Sequence, residues 1–178
     1  MIRMENTMLG LKQLNFRNIS FAMVLLVLTS CSTTSVAEEE NLFEEENATN
    51  IVVELSAQEE ALFEMVNSYR VSQGLNELEF SAASYEFAVE HNDYMISTGK
   101  LSHDHFNARA SELSKITSAN YVAENVAKDY LLVDDALDGW LSSTPHKNTI
   151  EGDFTHTALS IKSDAEGTPY YTQIFFRK

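Results

Sequence analysis

The chain has 178 residues, 44% of them hydrophobic, and carries 12 Lys and Arg against 27 Asp and Glu for a formal net charge of −15. That balance argues against nucleic acid as a partner and against electrostatic attraction to anionic lipid. A single cysteine, Cys31, excludes a disulfide framework within the chain, so the fold has to hold by packing.

Residues 1–30 read as an export signal. Arg3, Lys12 and Arg17 precede a ten-residue apolar stretch, Ile19 to Leu28, and then Thr29-Ser30-Cys31. At about 1.5 Å per residue this stretch covers about half of a bilayer core of roughly 30 Å, which suits a signal-peptide h-region rather than a permanent span. Starting at Met8 would give a more usual n-region. Leu28-Thr29-Ser30-Cys31 is similar to a bacterial lipobox, whose cysteine is acylated and becomes the mature N-terminus. Lipidation of Cys31 is therefore expected. At about 0.8 kcal/mol per buried methylene, two or three acyl chains anchor a protein stably where one does not.

Residues 1–30 hold three basic and one acidic residue, so the mature chain keeps 9 Lys and Arg against 26 Asp and Glu, a net −17. Ser32 to Asn50 contains six glutamates and no Lys or Arg. Such a segment repels itself and has too little apolar surface to fold, so residues 31–55 are expected to form an acidic flexible tether. The remaining 123 residues, 56–178, suffice for one domain with a single core. Attachment to a membrane is expected through acyl chains alone, and the domain is expected to be monomeric.

Ser56-Ala57-Gln58-Glu59 matches a capping box and opens a helical stripe of Leu62, Met65, Val66 and Tyr69, with Gly74 as its stop. A second cap at Ser81 leads into Tyr85, Ala88, Val89, Asn92 and Met95, ending at Gly99. A weaker helix is expected over 108–115. A fourth, Val133 to Ser142, presents Val133, Ala136, Leu137, Trp140 and Leu141, with Pro145 closing it. The period then changes. Thr157, Leu159 and Ile161 alternate with Ala158, Ser160 and Lys162, residues 163–169 read as a turn, and Tyr170 to Phe176 is aromatic and β-branched, which predicts an antiparallel hairpin. Helices followed by a hairpin make an α+β domain.

The chain has no Gly-rich phosphate loop and no His-Glu-x-x-His helix, so a site must be assembled from distant residues. His103 follows the Gly99 stop, Glu124 lies between helices, and His146 follows the Pro145 stop. All three fall at element ends, where side chains converge on clefts. Two imidazoles and a carboxylate suit either a divalent cation such as zinc with a position left open, or proton transfer near neutral pH.

Four motifs carry a resemblance: Leu101-Ser102-His103-Asp104, Ala123-Glu124-Asn125-Val126, the run from Trp140 to Asn148, and Tyr170 to Phe175. In order and spacing they are similar to the CAP superfamily, which groups the cysteine-rich secretory proteins, antigen 5 and pathogenesis-related proteins with many bacterial members. The likeness spans nearly all of residues 58–177. It implies a three-layer α-β-α sandwich with a cleft lined by two histidines and acidic residues. His103 resembles the first family histidine, with Leu101 ahead of it. Glu124 resembles the acid of the Gly-Glu-Asn motif, although Ala123 replaces its glycine. His146 resembles the histidine of the bacterial Trp-x-x-Ser-x-Gly-His-Arg pattern, with Lys147 in place of the arginine. The second acid of many eukaryotic members falls near Ser143, which supplies no charge, so a metal cage here would be weaker.

Ser143, His91, Asn125 and Arg109 are expected to support the cleft. His91 would brace it from behind, Asn125 would bond to backbone near Glu124, and Arg109, matched by an arginine in similar bacterial proteins, would form an ion pair. His105 is expected in solvent rather than paired with His103, and His156 at the periphery. Trp140 is expected to anchor its helix, and Tyr170, Tyr171, Phe175 and Phe176 to form the two faces of an inner strand.

Three functions fit these residues. The first is a lipid-anchored, exported module of the cell envelope, periplasmic or on the surface, which binds a small apolar ligand or an envelope protein in the cleft. The second is a zinc-assisted hydrolase or peptidase with Glu124 as base and His103 and His146 on the metal. The third is a structural envelope protein.

Overall fold

A computed structural model describes residues 53–178, and the expected signal, lipidation site Cys31 and most of the tether lie outside them. Among the described residues five helices and four strands follow one another: α1 (Ala57–Ser72), β1 (Glu79–Phe80), α2 (Ala82–Thr98), α3 (Phe106–Thr117), β2 (Tyr121–Lys128), α4 (Val133–Ser142), α5 (Thr144–Ile150), β3 (His156–Ser163) and β4 (Pro169–Arg177). Among them no helix is long and apolar enough to cross a membrane.

The capping box at Ser56 forms as its sequence predicts, with Ser56 Oγ accepting from the Glu59 N–H at 3.2 Å and the Glu59 carboxylate accepting from the Ser56 N–H at 2.8 Å. Glu59 also accepts from the Ile161 N–H at 2.9 Å, so a residue of the cap ties α1 to β3. The second helix starts on Ser81 and stops at Gly99, whose φ of 68° is the left-handed cap that glycine adopts without strain. Helix α3 runs further than the expected 108–115, at both ends.

The sheet has the order β1-β3-β4-β2, with β1 parallel to β3 and the other pairs antiparallel. The expected hairpin is β3–β4, in register from His156↔Phe176 to Ser163↔Pro169. Because β4 is flanked by strands and covered on both faces, it is buried from Pro169 to Phe176. Tyr171 and Phe175 pack with Leu62, Val66, Leu137 and Trp140 beneath α1 and α4. Ile174 and Phe176 pack with Ala88 and Leu113 beneath α2 and α3, and Tyr170 with Met95 and Val126. Helices on both faces of one sheet make the three-layer α-β-α sandwich of an α+β domain.

Two local expectations are corrected. Glu124 lies between helices as expected but not at an element end; it sits mid-strand on β2, at the edge of the sheet. Val122, Glu124 and Val126 alternate with Ala123, Asn125 and Ala127, but both sets are largely covered, so the polar alternation of a half-solvated strand is missing. Pro145 does not merely end α4; it occupies the first turn of α5, where its fixed φ is favourable and its missing N–H costs nothing. A single helix through 142–150 would set the proline ring against the carbonyl of Leu141. The chain instead extends at Ser143 (φ −100°, ψ 114°) and restarts.

Candidate functional site

Strand β2 organises the site because its alternating residues feed opposite faces of the sheet edge. On the α2/α3 face stands Glu124, its side chain 1% exposed. Arg109 from α3 meets it side-on: Nη2 donates to Oε2 at 2.8 Å and to Oε1 at 3.0 Å, and Nε donates to Oε2 at 3.1 Å. Nη1 of the same guanidinium donates to the Asp104 carbonyl at 2.7 Å, which fixes the loop carrying His103. His103 Nδ1 donates to Glu124 Oε1 at 2.9 Å, while its ring stays 52% exposed. Both carboxylate oxygens are therefore occupied by charge-assisted or directed bonds.

His91, one helical face away on α2, is buried behind this group. Its Nε2–H donates to the Ser102 carbonyl at 2.8 Å, which fixes the tautomer, and lies 3.7 Å from Glu124 Oε1. Nδ1 is left buried without a partner. Burial pushes the pKa of His91 below that of a free imidazole, against the opposing pull of Glu124, so the ring is neutral at pH 7. Tyr94, which belongs to none of the sequence motifs, stacks on His91 with ring centroids 5.9 Å apart and donates from its hydroxyl to Asp104 Oδ2 at 2.9 Å. Its position three residues after His91 on α2 is the one signal that marks it. His105, exposed as expected, adopts φ 62° and meets Tyr94 edge-on at 5.2 Å; it does not join His103.

The other face of β2 carries the second half. His146 lies in α5, with Nδ1 2.8 Å from Ser143 Oγ, so Ser143 supplies a hydrogen-bond partner where a charge is absent. Asn125 does not bond backbone near Glu124; its Nδ2 donates across to the His146 carbonyl at 3.1 Å, because its position on β2 turns it to the α5 side. Burial and the nearby charge of His103 lower the pKa of His146. His103 and Glu124 line one small cavity with Phe106 and Val122, and His146 lines another with Ser143 and Trp140.

The far end of α5 is held by a residue that no sequence pattern marks, the fully buried Arg70. It donates from Nη1 to the carbonyls of Ile150 at 2.6 Å and Gly152 at 2.9 Å, and from Nε to that of Asn76 at 2.9 Å. A buried cation at the C-terminal carbonyls of a short helix satisfies acceptors that would otherwise be orphaned. Trp140 anchors α4 as expected, with Nε1 donating to the Val126 carbonyl at 3.1 Å. His156 opens β3 and stacks on Phe176 at 4.6 Å, away from the cleft residues.

Among the described residues no group of three or more His, Cys, Asp or Glu side chains is arranged to hold a metal ion. The physical reason at this site is that Glu124 is engaged by Arg109 and His103 and has no oxygen free to complete a set with both histidines. Each histidine does keep Nε2 free of any hydrogen-bond partner among the described residues.

Fold and site together define a domain of one family. The model of the Cysteine-rich secretory protein family (CAP) matches residues 63–175, and the chain belongs to that family. A relative from Bacillus subtilis (strain 168), named Uncharacterized membrane protein YlbC, is 27% identical over 126 residues, which cover 67% of this chain and 34% of that protein. The chain thus spans about a third of that relative's length. Among solved structures, an outer surface protein from Borrelia burgdorferi is 17% identical with a TM-score of 0.64, over 71% of this chain and 96% of that one. An extracellular protein containing an SCP domain from Bacillus anthracis is 24% identical with a TM-score of 0.61, over 68% of this chain and 40% of that one. At these identities the two structures establish the fold.

Proposed function

We propose that the chain is an exported, lipid-anchored binding protein of the bacterial cell envelope, whose CAP domain offers the cleft between His103, Glu124 and His146 to a small apolar ligand or to an envelope protein. The observation that carries this reading is the state of Glu124. A carboxylate gripped by Arg109 and His103 is a fixed part of the cleft wall and is poorly placed to take a proton from water. Export and anchoring rest on the apolar stretch before Cys31 and on relatives described as membrane, outer-surface and extracellular proteins. A periplasmic or a surface position is compatible with both.

Two measurements test the reading. Mass analysis of the N-terminal peptide from the membrane fraction should find acylated Cys31, and Cys31→Ser should release the protein; an unmodified thiol in the wild type would remove the anchor. A ligand of the cleft, such as a fatty acid or sterol, should raise the melting temperature in proportion to the logarithm of its concentration, and His146→Ala should abolish the shift. No shift with either ligand would count against a small apolar ligand.

A second reading, a divalent cation such as zinc held by the two histidines, is favoured by the hydrogen bond at each Nδ1. A carboxylate behind one imidazole and a hydroxyl behind the other would orient both rings toward a cation. Zinc should then raise the melting temperature of the wild type and leave His103→Ala unchanged. A hydrolase on this site would require Glu124 to leave Arg109, and so ranks below binding.

A further inference from the structure

A more specific ligand class is written into the main chain at the N-terminal end of β2. The Asp129 N–H donates to the Pro169 carbonyl at 3.0 Å, in the same register as the pair Lys128↔Tyr170. Odd-numbered residues of β2 therefore direct their main-chain groups to β4, and even-numbered residues direct theirs to the open edge. The Val126 carbonyl on that edge is closed by Trp140. Among the described residues, none donates to or accepts from the outward main-chain groups of Val122. Tyr121 beside it is 57% exposed. Natural sheets cover, shorten or charge such edges, and β1, at the opposite side, is only two residues long.

A cavity lies on each face of this open stretch. One, about 180 Å³, is lined by His103, Phe106, Val122 and Glu124; the other, about 360 Å³, is lined by Asn148, Asp153, Phe154 and Arg177. Both include Tyr121 and Ala123, so the strand is their shared wall.

We propose that β2 accepts an extended peptide as an added strand at Val122, with successive peptide side chains entering the two cavities on opposite faces of the sheet. The alternation selects the ligand class, because a polypeptide strand presents side chains to opposite faces every residue while its main chain pairs with the edge. A sterol or fatty acid has no such period and no main-chain donors for Val122. The smaller cavity, walled by Phe106 and Val122, takes a compact apolar side chain. The larger, with Asn148 and the Arg177–Asp153 ion pair, takes a polar one. The inference rests on the binding reading above and assigns its partner as polypeptide.

The probe is a phage-displayed library of random linear dodecapeptides panned on the immobilised full chain. An enriched peptide should bind the parent and the Val122→Thr variant alike and bind Val122→Pro at least about tenfold more weakly, since proline removes the outward N–H at an edge position that tolerates it. N-methylation of alternate amides on one edge of the peptide should weaken it similarly, a readout that does not depend on how well Val122→Pro folds. The Val122 amide should exchange freely in the unbound protein and become protected in the complex. Enrichment of no peptide overturns the strand pairing, as does a peptide indifferent to Val122→Pro and to N-methylation. A peptide lost in His146→Ala but kept in Val122→Pro overturns the pairing while sustaining the cleft as a binding site.

Discussion

The two faces of β2 hold the two halves of the site by opposite means. On the Glu124 side a buried carboxylate is paired with the Arg109 guanidinium, with the half-exposed His103 donating to it and the neutral His91 buried behind it. On the His146 side the partners are a hydroxyl and an amide, and the imidazole is kept neutral by burial and by repulsion from His103. The difference teaches that one half acts as scaffold and the other as the adaptable surface: removing one member of an ion cluster strands a charge, whereas a neutral hydrogen bond lost to water is mostly replaced.

The largest expected effect follows from that contrast. Glu124→Ala leaves Arg109, 11% exposed, without its counter-ion, and should cost about 3–5 kcal/mol in urea denaturation. Replacing both partners, Glu124→Leu with Arg109→Met, should recover much of that loss, since a buried pair barely repays its desolvation. A double variant no better than the single one would mean that the cluster does more than neutralise itself.

A pH titration of stability comes next. His91 and His146 both have folded pKa values below the unfolded value near 6.5, so the unfolded chain binds more protons beneath that pH. Their contribution is complete above about pH 6.5 and declines as pH falls toward the folded pKa values. The melting temperature should drop between pH 7 and 5, and His91→Gln should flatten the drop more than His146→Gln because His91 is buried and His146 only partly so. Equal flattening would erase the distinction between the halves.

Ser143→Ala should be milder, about 1 kcal/mol or less, the worth of one neutral hydrogen bond. His103→Gln should change stability least, within about 0.5 kcal/mol on a half-exposed side chain, while altering ligand binding. A His103 variant as damaging as Glu124→Ala would place that ring in the scaffold.

Much of the fold is legible in the chain because it is local. The Ser56-x-x-Glu59 box, the Ser81 cap, the Gly99 stop and the alternation of 157–161 each depend on a few adjacent residues, and each forms at the expected place. The Ile19 to Leu28 stretch and Cys31 likewise carry their reading in sequence alone. Motif order is enough to bring His103, Glu124 and His146 under one family pattern.

What the tertiary structure decided is everything that depends on which face a residue finds covered. Strand β2 is invisible as an alternating pattern because helices bury both of its faces, and only its place at the sheet edge makes Glu124 a wall residue and Asn125 a tie to α5. Arg70 is marked by no local pattern, and its partners appear only when the chain returns Ile150 and Gly152, 80 and 82 residues later, to accept from it. Sequence specifies bonds a few residues apart; long-range packing alone chooses the partners of buried charge, because those partners are fixed by burial rather than by spacing.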